Sequence, residues 1–219
     1  MGPVASSPVA EPAVCRRLGD LLAPPPPVRR PLRAPADVGG RAAWDVLVRD
    51  GVLEVVRGDA AVATGTPLTA ADRAGTLTGV PTGAVVAGRT AAWVHAGRRV
   101  GDEGRLDLTY PAGSYRPTVW GAGLVWQAPL LRDDVVERAG VRVTAPARTV
   151  VDLALHLAPD DATPRVVALV RWCGVDLEEA SRLLERRVRA VGRPRARTVL
   201  DRARAALAGA LGAAAGALP

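Results

Sequence analysis

Between Arg182 and Arg204 the sequence places nine arginines, at 182, 186, 187, 189, 193, 195, 197, 202 and 204, against two acids, Glu185 and Asp201. This surplus of seven positive charges equals the formal net charge of the whole 219-residue chain, +7, so the remainder is balanced. Guanidinium groups at this density can contact a nucleic-acid backbone, each contact releasing a counterion and adding salt-dependent affinity. Arg182, Arg186, Arg189, Arg193, Arg195 and Arg197 are the candidates for such contacts. No aromatic residue is interleaved among them, so base stacking on a single strand is not expected. The plainer alternative is a solvated helix face in an arginine-biased proteome. Lys, Asn, Ile and Phe are all absent, the mark of a GC-rich bacterial genome, and every one of the 29 basic residues is therefore Arg.

The other chemistry-bearing residues point away from catalysis. Without Lys there is no P-loop lysine and no Schiff base. His95 and His156 stand in no HExxH or CxxC context, and Ser114 is in Gly-Ser-Tyr, not in a GxSxG elbow. Both histidines read as packed or helix-end residues. Asp133, Asp134 and Glu137 could form a metal-binding trio, but acids at a helix start favour the dipole, and they read as capping. Cys15 and Cys173 make neither a disulfide framework nor a zinc site. No enzyme activity and no cofactor are expected. The first 15 residues lack the basic start of a signal peptide, and Ala205 to Leu218 is too short and weakly apolar to span a bilayer, so a cytoplasmic protein is expected.

The elements that must position these residues fall into three stretches. Residues 1–36 hold Pro24 to Pro27 and read as an extended tail or linker, with a possible short helix at 14–22. In 37–66, Ala42 to Val48 form a short helix ended by Gly51, and Val52 to Val56 and Ala60 to Ala63 flank Arg57-Gly58-Asp59 as a hairpin. Helix then hairpin is the second half of a winged helix, which makes Arg41, Arg49 and Arg57 the candidates for DNA contact. In 67–215 a Thr69-capped helix, a strand at 84–87 and a short helix from Gly88 come first. Strands follow at 105–110, 117–120, 124–127 and 141–144. Four helices end the chain, from Pro146 to Ala158 and over 162–173, 176–190 and 195–215. In the third, Leu177, Ala180, Leu183, Leu184, Val188 and Val191 form one apolar stripe. The fold class read from this is α+β: a mixed sheet with packed helices and a helical C-terminal part, preceded by a truncated winged-helix-like segment.

Several stretches carry a resemblance. They are Gly140-Val-Arg-Val-Thr-Ala-Pro-Ala-Arg-Thr-Val-Val-Asp-Leu-Ala154, Trp44 to Leu53, Val80 to Trp93, and Asp133-Asp-Val-Val136. Over about residues 40 to 205 the sequence resembles the AbiEi-type antitoxins and AbiEi-like transcriptional regulators of high-GC bacteria. Thr144-Ala-Pro-Ala-Arg-Thr-Val-Val-Asp152 is the most specific part. The resemblance implies an N-terminal winged helix that represses its own promoter. It also implies a C-terminal α+β domain that antagonises a nucleotidyltransferase toxin without a stable complex, as in type IV toxin–antitoxin systems. The sequence departs from the pattern in its reduced winged helix, and the nuclease-like extension of some longer relatives is not carried over.

Within the signature, Pro146 fixes φ in the first helical turn, and Thr144 and Thr149 offer hydroxyls to the exposed amides. Arg148 and Asp152 stand four apart on one helix face, as an intrahelical ion pair or as a pair that orients a surface used in toxin neutralisation.

Overall fold

Turn chemistry around residue 50 closes the first unit. The computed structural model describes residues 31–97, 105–114, 123–187 and 190–215, and the expected helix at 14–22 and strand at 117–120 lie outside them. A 3-10 turn, Pro35–Val38, leads into α1 (Arg41–Arg49). Gly51, at φ +71, lets the chain leave α1 in the left-handed region that only glycine enters cheaply. Strands β1 (Leu53–Arg57) and β2 (Ala60–Ala63) then pair antiparallel, with a bulge between Val55 and Arg57. Arg33 adds a further strand position: its N–H donates to the Ala61 carbonyl at 2.7 Å and its carbonyl accepts from the Ala61 N–H at 2.9 Å. Trp44, 2% exposed, packs with Leu53 and Ala61 as the small core of this unit. Residues 31–36, assigned to the tail on proline content, belong to it.

The larger part is a five-stranded mixed sheet with helices packed on it. Thr69 accepts the Asp72 N–H while the Asp72 carboxylate accepts the Thr69 N–H, a reciprocal cap that starts α2 (Ala70–Gly75). In chain order there follow β3 (Val85–Val86), α3 (Gly88–Ala96), β4 (Leu108–Pro111), β5 (Val125–Ala128), β6 (Val135–Arg138) and β7 (Val141–Thr144). The sheet order is β5-β4-β3-β7-β6. β3 runs antiparallel to β4 and parallel to β7, β4 is parallel to β5, and β6 and β7 form an antiparallel hairpin. The hairpin turn is Ala139-Gly140, both at positive φ, as a two-residue primed turn requires. Val85 and Val86 at the sheet centre are fully buried, as expected of a strand covered on both faces.

Four helices close the chain: α4 (Pro146–His156), α5 (Pro159–Cys173), α6 (Leu177–Glu185) and α7 (Arg193–Ala215). Val150, Leu153, Leu169, Leu184 and Leu200 fill the core between them, each such burial contributing about 1.5–3 kcal/mol. The chain is thus α+β. Among the described residues no helix is long and apolar enough to cross a membrane.

Three expectations are corrected. The apolar stripe assigned to 176–190 outruns its helix, which ends at Glu185; Val191 is 93% exposed, and Val188 lies outside the described residues. The Asp133-Asp134 acids stand in a 3-10 turn, Arg132–Asp134, that feeds strand β6 and not an α-helix, and of the two it is Asp134 that caps, accepting the Leu131 N–H. Pro159-Asp160-Asp161, read as a break, is the first turn of α5, where proline's missing N–H and the two acids suit the free amides.

Candidate functional site

Two surfaces hold the candidate residues. The first is the outer face of α1. Trp44 faces inward, leaving Arg41, Ala42, Asp45, Val46 and Arg49 exposed. Arg41 is held at both ends of the unit, with Nε 3.2 Å from Asp45 and Nη1 2.6 Å from Asp59 in the hairpin turn. The hydrogen bond to Asp59, then the charge of Asp45, raises the Arg41 pKa further above its ordinary value. Arg49 pairs with Asp50 at 3.1 Å. Arg57 does not join this face: its guanidinium lies over the ring of Trp93 in α3. Residues 31–66 as a whole hold four arginines and five acids, so the unit is not basic.

The second surface is the arginine stretch, and most of its charge is internally matched. Glu185 accepts from both Arg193 and Arg197, the latter through Nε at 2.8 Å and Nη2 at 2.9 Å. These bonds, that of Arg197 foremost, hold the Glu185 carboxyl down at about 2. Arg182 lies 3.8 Å from Asp176, Arg202 pairs with Asp160 at 2.8 Å, and Arg204 bridges Glu178 and Asp201. Arg195 donates to the Leu155 carbonyl near the end of α4. Arg189 lies outside the described residues. Of the proposed backbone contacts, Arg186 alone has no partner among the described residues. The stretch acts mainly as a set of ties between α4, α5, α6 and α7.

The Thr144–Asp152 signature forms the densest polar network. The Thr144 and Thr149 hydroxyls are 2.8 Å apart, and the Thr149 hydroxyl also lies 3.0 Å from the Thr144 and Ala145 carbonyls. His95 Nε2 approaches the Thr144 carbonyl at 2.7 Å, and burial lowers its pKa, so a neutral imidazole donates there. Arg148 is 1% exposed. Its Nε donates to Asp152 at 2.9 Å, and its Nη1 donates to Asp134 at 2.8 Å and to the Pro129 carbonyl at 3.0 Å. Arg187, just past α6, reaches the same Asp134 carboxylate at 3.1 Å.

The expected Arg148–Asp152 pair therefore forms, but inside the molecule, so the two side chains do not themselves make up a surface. Two cations and two anions are locked together there. Burial pushes the Asp152 carboxyl up to about 6 against the opposing pull of Arg148. Arg148 Nη2, Asp152 Oδ2 and Arg187 Nε are buried without a partner among the described residues.

A groove of about 450 Å³ opens above this network, between the 3-10 turn before β6, the first turn of α4 and the joint from α5 to α6. Its apolar lining includes Leu131, Pro146, Val175 and Leu183, and Asp133, Asp176, Glu179 and Arg186 add charge. No group of three His, Cys, Asp or Glu residues able to hold a metal ion occurs among the described residues. His156, at the end of α4, has its ring centroid 4.3 Å from that of Trp126.

Two organising residues escape the sequence reading. Asp107, 1% exposed, accepts from the Arg89 N–H, from Arg89 Nε and Nη2, all at 2.9 Å, and from the Leu124 N–H at 2.8 Å. It joins the start of α3 to β4 and the approach to β5. Arg73 of α2 donates to the carbonyls of Leu68, Val94 and His95, two of them in the last turn of α3. In each case the partners lie far away in sequence, and no local spacing marks them.

No family model and no curated protein matches the chain. Among solved structures, the RV2827C protein from Mycobacterium tuberculosis is similar at a TM-score of 0.41 and 20% identity, over 88% of this chain and 78% of that one.

Proposed function

We propose that the chain is a non-catalytic, AbiEi-like transcriptional regulator of the cytoplasm, which reads duplex DNA at its own promoter through the helix–hairpin unit. The observation that carries this reading is the double hydrogen bond between Arg33 and Ala61. It adds a one-residue β-bridge before the helix, so the order becomes bridge, short turn, helix and two-stranded wing. That is the winged-helix order with the helix before α1 reduced to the 3-10 turn Pro35–Val38. In this arrangement α1 takes the recognition position, and a helix fits the roughly 12 Å wide major groove. Arg41 and Arg49 are the exposed cations on it. Because residues 31–66 carry no surplus of positive charge, non-specific attraction is weak, and discrimination rests on base-edge contacts.

The second half of the proposal, antagonism of a nucleotidyltransferase toxin without a stable complex, rests on the signature at residues 140–154. Arg182, Arg193 and Arg197 are matched by acids just as Arg41 and Arg49 are, so ion pairing does not choose between the arginine stretch and α1, and the choice of α1 rests on the element order. The test is fluorescence anisotropy with the upstream duplex and a scrambled duplex across a salt series. The reading expects preference for the upstream duplex, lost in Arg41→Ala/Arg49→Ala. Equal binding of both duplexes overturns it.

A further inference from the structure

We infer that the groove between the turn before β6, the first turn of α4 and the α5–α6 joint is a docking site for a basic, leucine-bearing peptide segment of a partner protein. The inference does not rest on the DNA reading, since none of its residues belongs to the helix–hairpin unit.

Two observations select this occupant. The groove has an apolar lining of Leu131, Pro146, Val175 and Leu183, and Leu131 is 67% exposed on its lip, an unusual state for a leucine beside a concave apolar surface. The rim is acidic: Asp133, Asp176 and Glu179 outnumber Arg186 in a chain whose net charge is +7. Asp133 and Glu179 have no ion-pair partner among the described residues, in contrast to Glu185 and Asp160, which hold arginines.

A peptide supplies both complements: leucine side chains for the apolar lining, and arginine or lysine for the free carboxylates. Nucleic acid fits poorly, because its phosphates would face the acidic rim. The rim carboxylates steer the encounter and fix orientation, while the buried leucines hold the segment in place.

The test uses the full chain and fluorescein-labelled synthetic peptides with leucines at i, i+3 and i+4, flanked either by arginines or by glutamates. Anisotropy titration of the wild type is expected to show saturable binding of the arginine series and none of the glutamate series. Asp133→Arg/Glu179→Arg, at two exposed positions that leave the fold intact, should weaken arginine-series binding at least tenfold and gain affinity for the glutamate series. Leu183→Ser should weaken binding of the arginine series as well. Circular dichroism of each variant separates lost binding from lost fold. If no arginine peptide binds, or if binding is the same in the charge-reversed variant, the proposal falls. If light scattering instead shows a dimer that Asp133→Arg/Glu179→Arg dissociates, the occupant is a second copy and the proposal is overturned in that direction.

Discussion

The guanidinium carbon of Arg57, at the end of β1, sits 5.9 Å from the centroid of the Trp93 ring in α3. A hairpin residue that would extend toward DNA in a free wing is turned inward onto the sheet-bearing part. The contact joins the hairpin to the helix whose C-terminus Arg73 caps.

Arg57→Ala should cost about 0.5–1 kcal/mol, the usual scale of an exposed cation–π contact. Native-state hydrogen exchange should place the loss in the hairpin, with faster exchange at Ala61 and Val62 and little change at Val85 and Val86. The number of ions released on DNA binding should stay unchanged. A salt slope that drops by about one would instead put Arg57 on the phosphate backbone.

Glu185 holds two arginines of the basic stretch. Glu185→Gln frees Arg193 and Arg197 without adding bulk. Non-specific duplex binding should then strengthen, and its slope against log salt should steepen by about one to two. An unchanged slope would mean that the two side chains find other partners or that the surface never meets nucleic acid.

What can be read from local sequence is what local physics decides. Pro146 followed by Val150, Val151 and Ala154 dictates α4, and the apolar runs around Arg57-Gly58-Asp59 dictate the hairpin. Layers cannot be read this way. In Arg105 to Tyr110, alternation predicts that Leu106, Leu108 and Tyr110 face inward and Asp107 and Thr109 outward, yet Asp107 and Thr109 are also buried. A period of two reports a face, not whether a second layer covers the other one. The Arg148–Asp152 spacing announces a pair, but its burial depends on Asp134 and Arg187, contributed by the turn before β6 and the end of α6. The arginine stretch reads as a free basic surface for the same reason: its acids, Asp176, Glu178 and Asp160, come from other segments.

Arg148→Met should be among the most damaging single changes. It leaves Asp152 buried without its closest cation, and breaking one side of a buried pair costs about 3–5 kcal/mol. Arg148→Met/Asp152→Leu keeps Asp134 with Arg187 and replaces the other pair by apolar volume. The double variant should recover most of the loss in urea unfolding, because apolar replacement of a buried pair is often neutral or stabilising. Additive losses would show that the pair is worth more than its desolvation.

The same carboxylate sets a pH dependence whose sign follows from burial. Asp152 titrates near 6 in the folded chain, against an ordinary aspartate value near 3.9 when unfolded. Between about pH 4 and pH 6 the folded chain keeps a proton that the unfolded chain has released. Stability from this group is therefore fully present below about pH 4 and is lost as pH rises through 6, by on the order of 3 kcal/mol. His95 and His156, whose values burial lowers, work in the opposite direction. Below about pH 6.5 the unfolded chain takes up protons that the folded chain resists, and stability falls as pH falls. The two trends overlap, so the wild-type curve alone does not resolve them. Asp152→Asn retains an acceptor for Arg148 Nε and cannot titrate. The stability of the wild type relative to Asp152→Asn, from urea midpoints between pH 4 and pH 7, should decline with rising pH and level off above about 6. A flat difference would return the Asp152 carboxyl to its ordinary range and make Arg148 strong enough to offset burial completely.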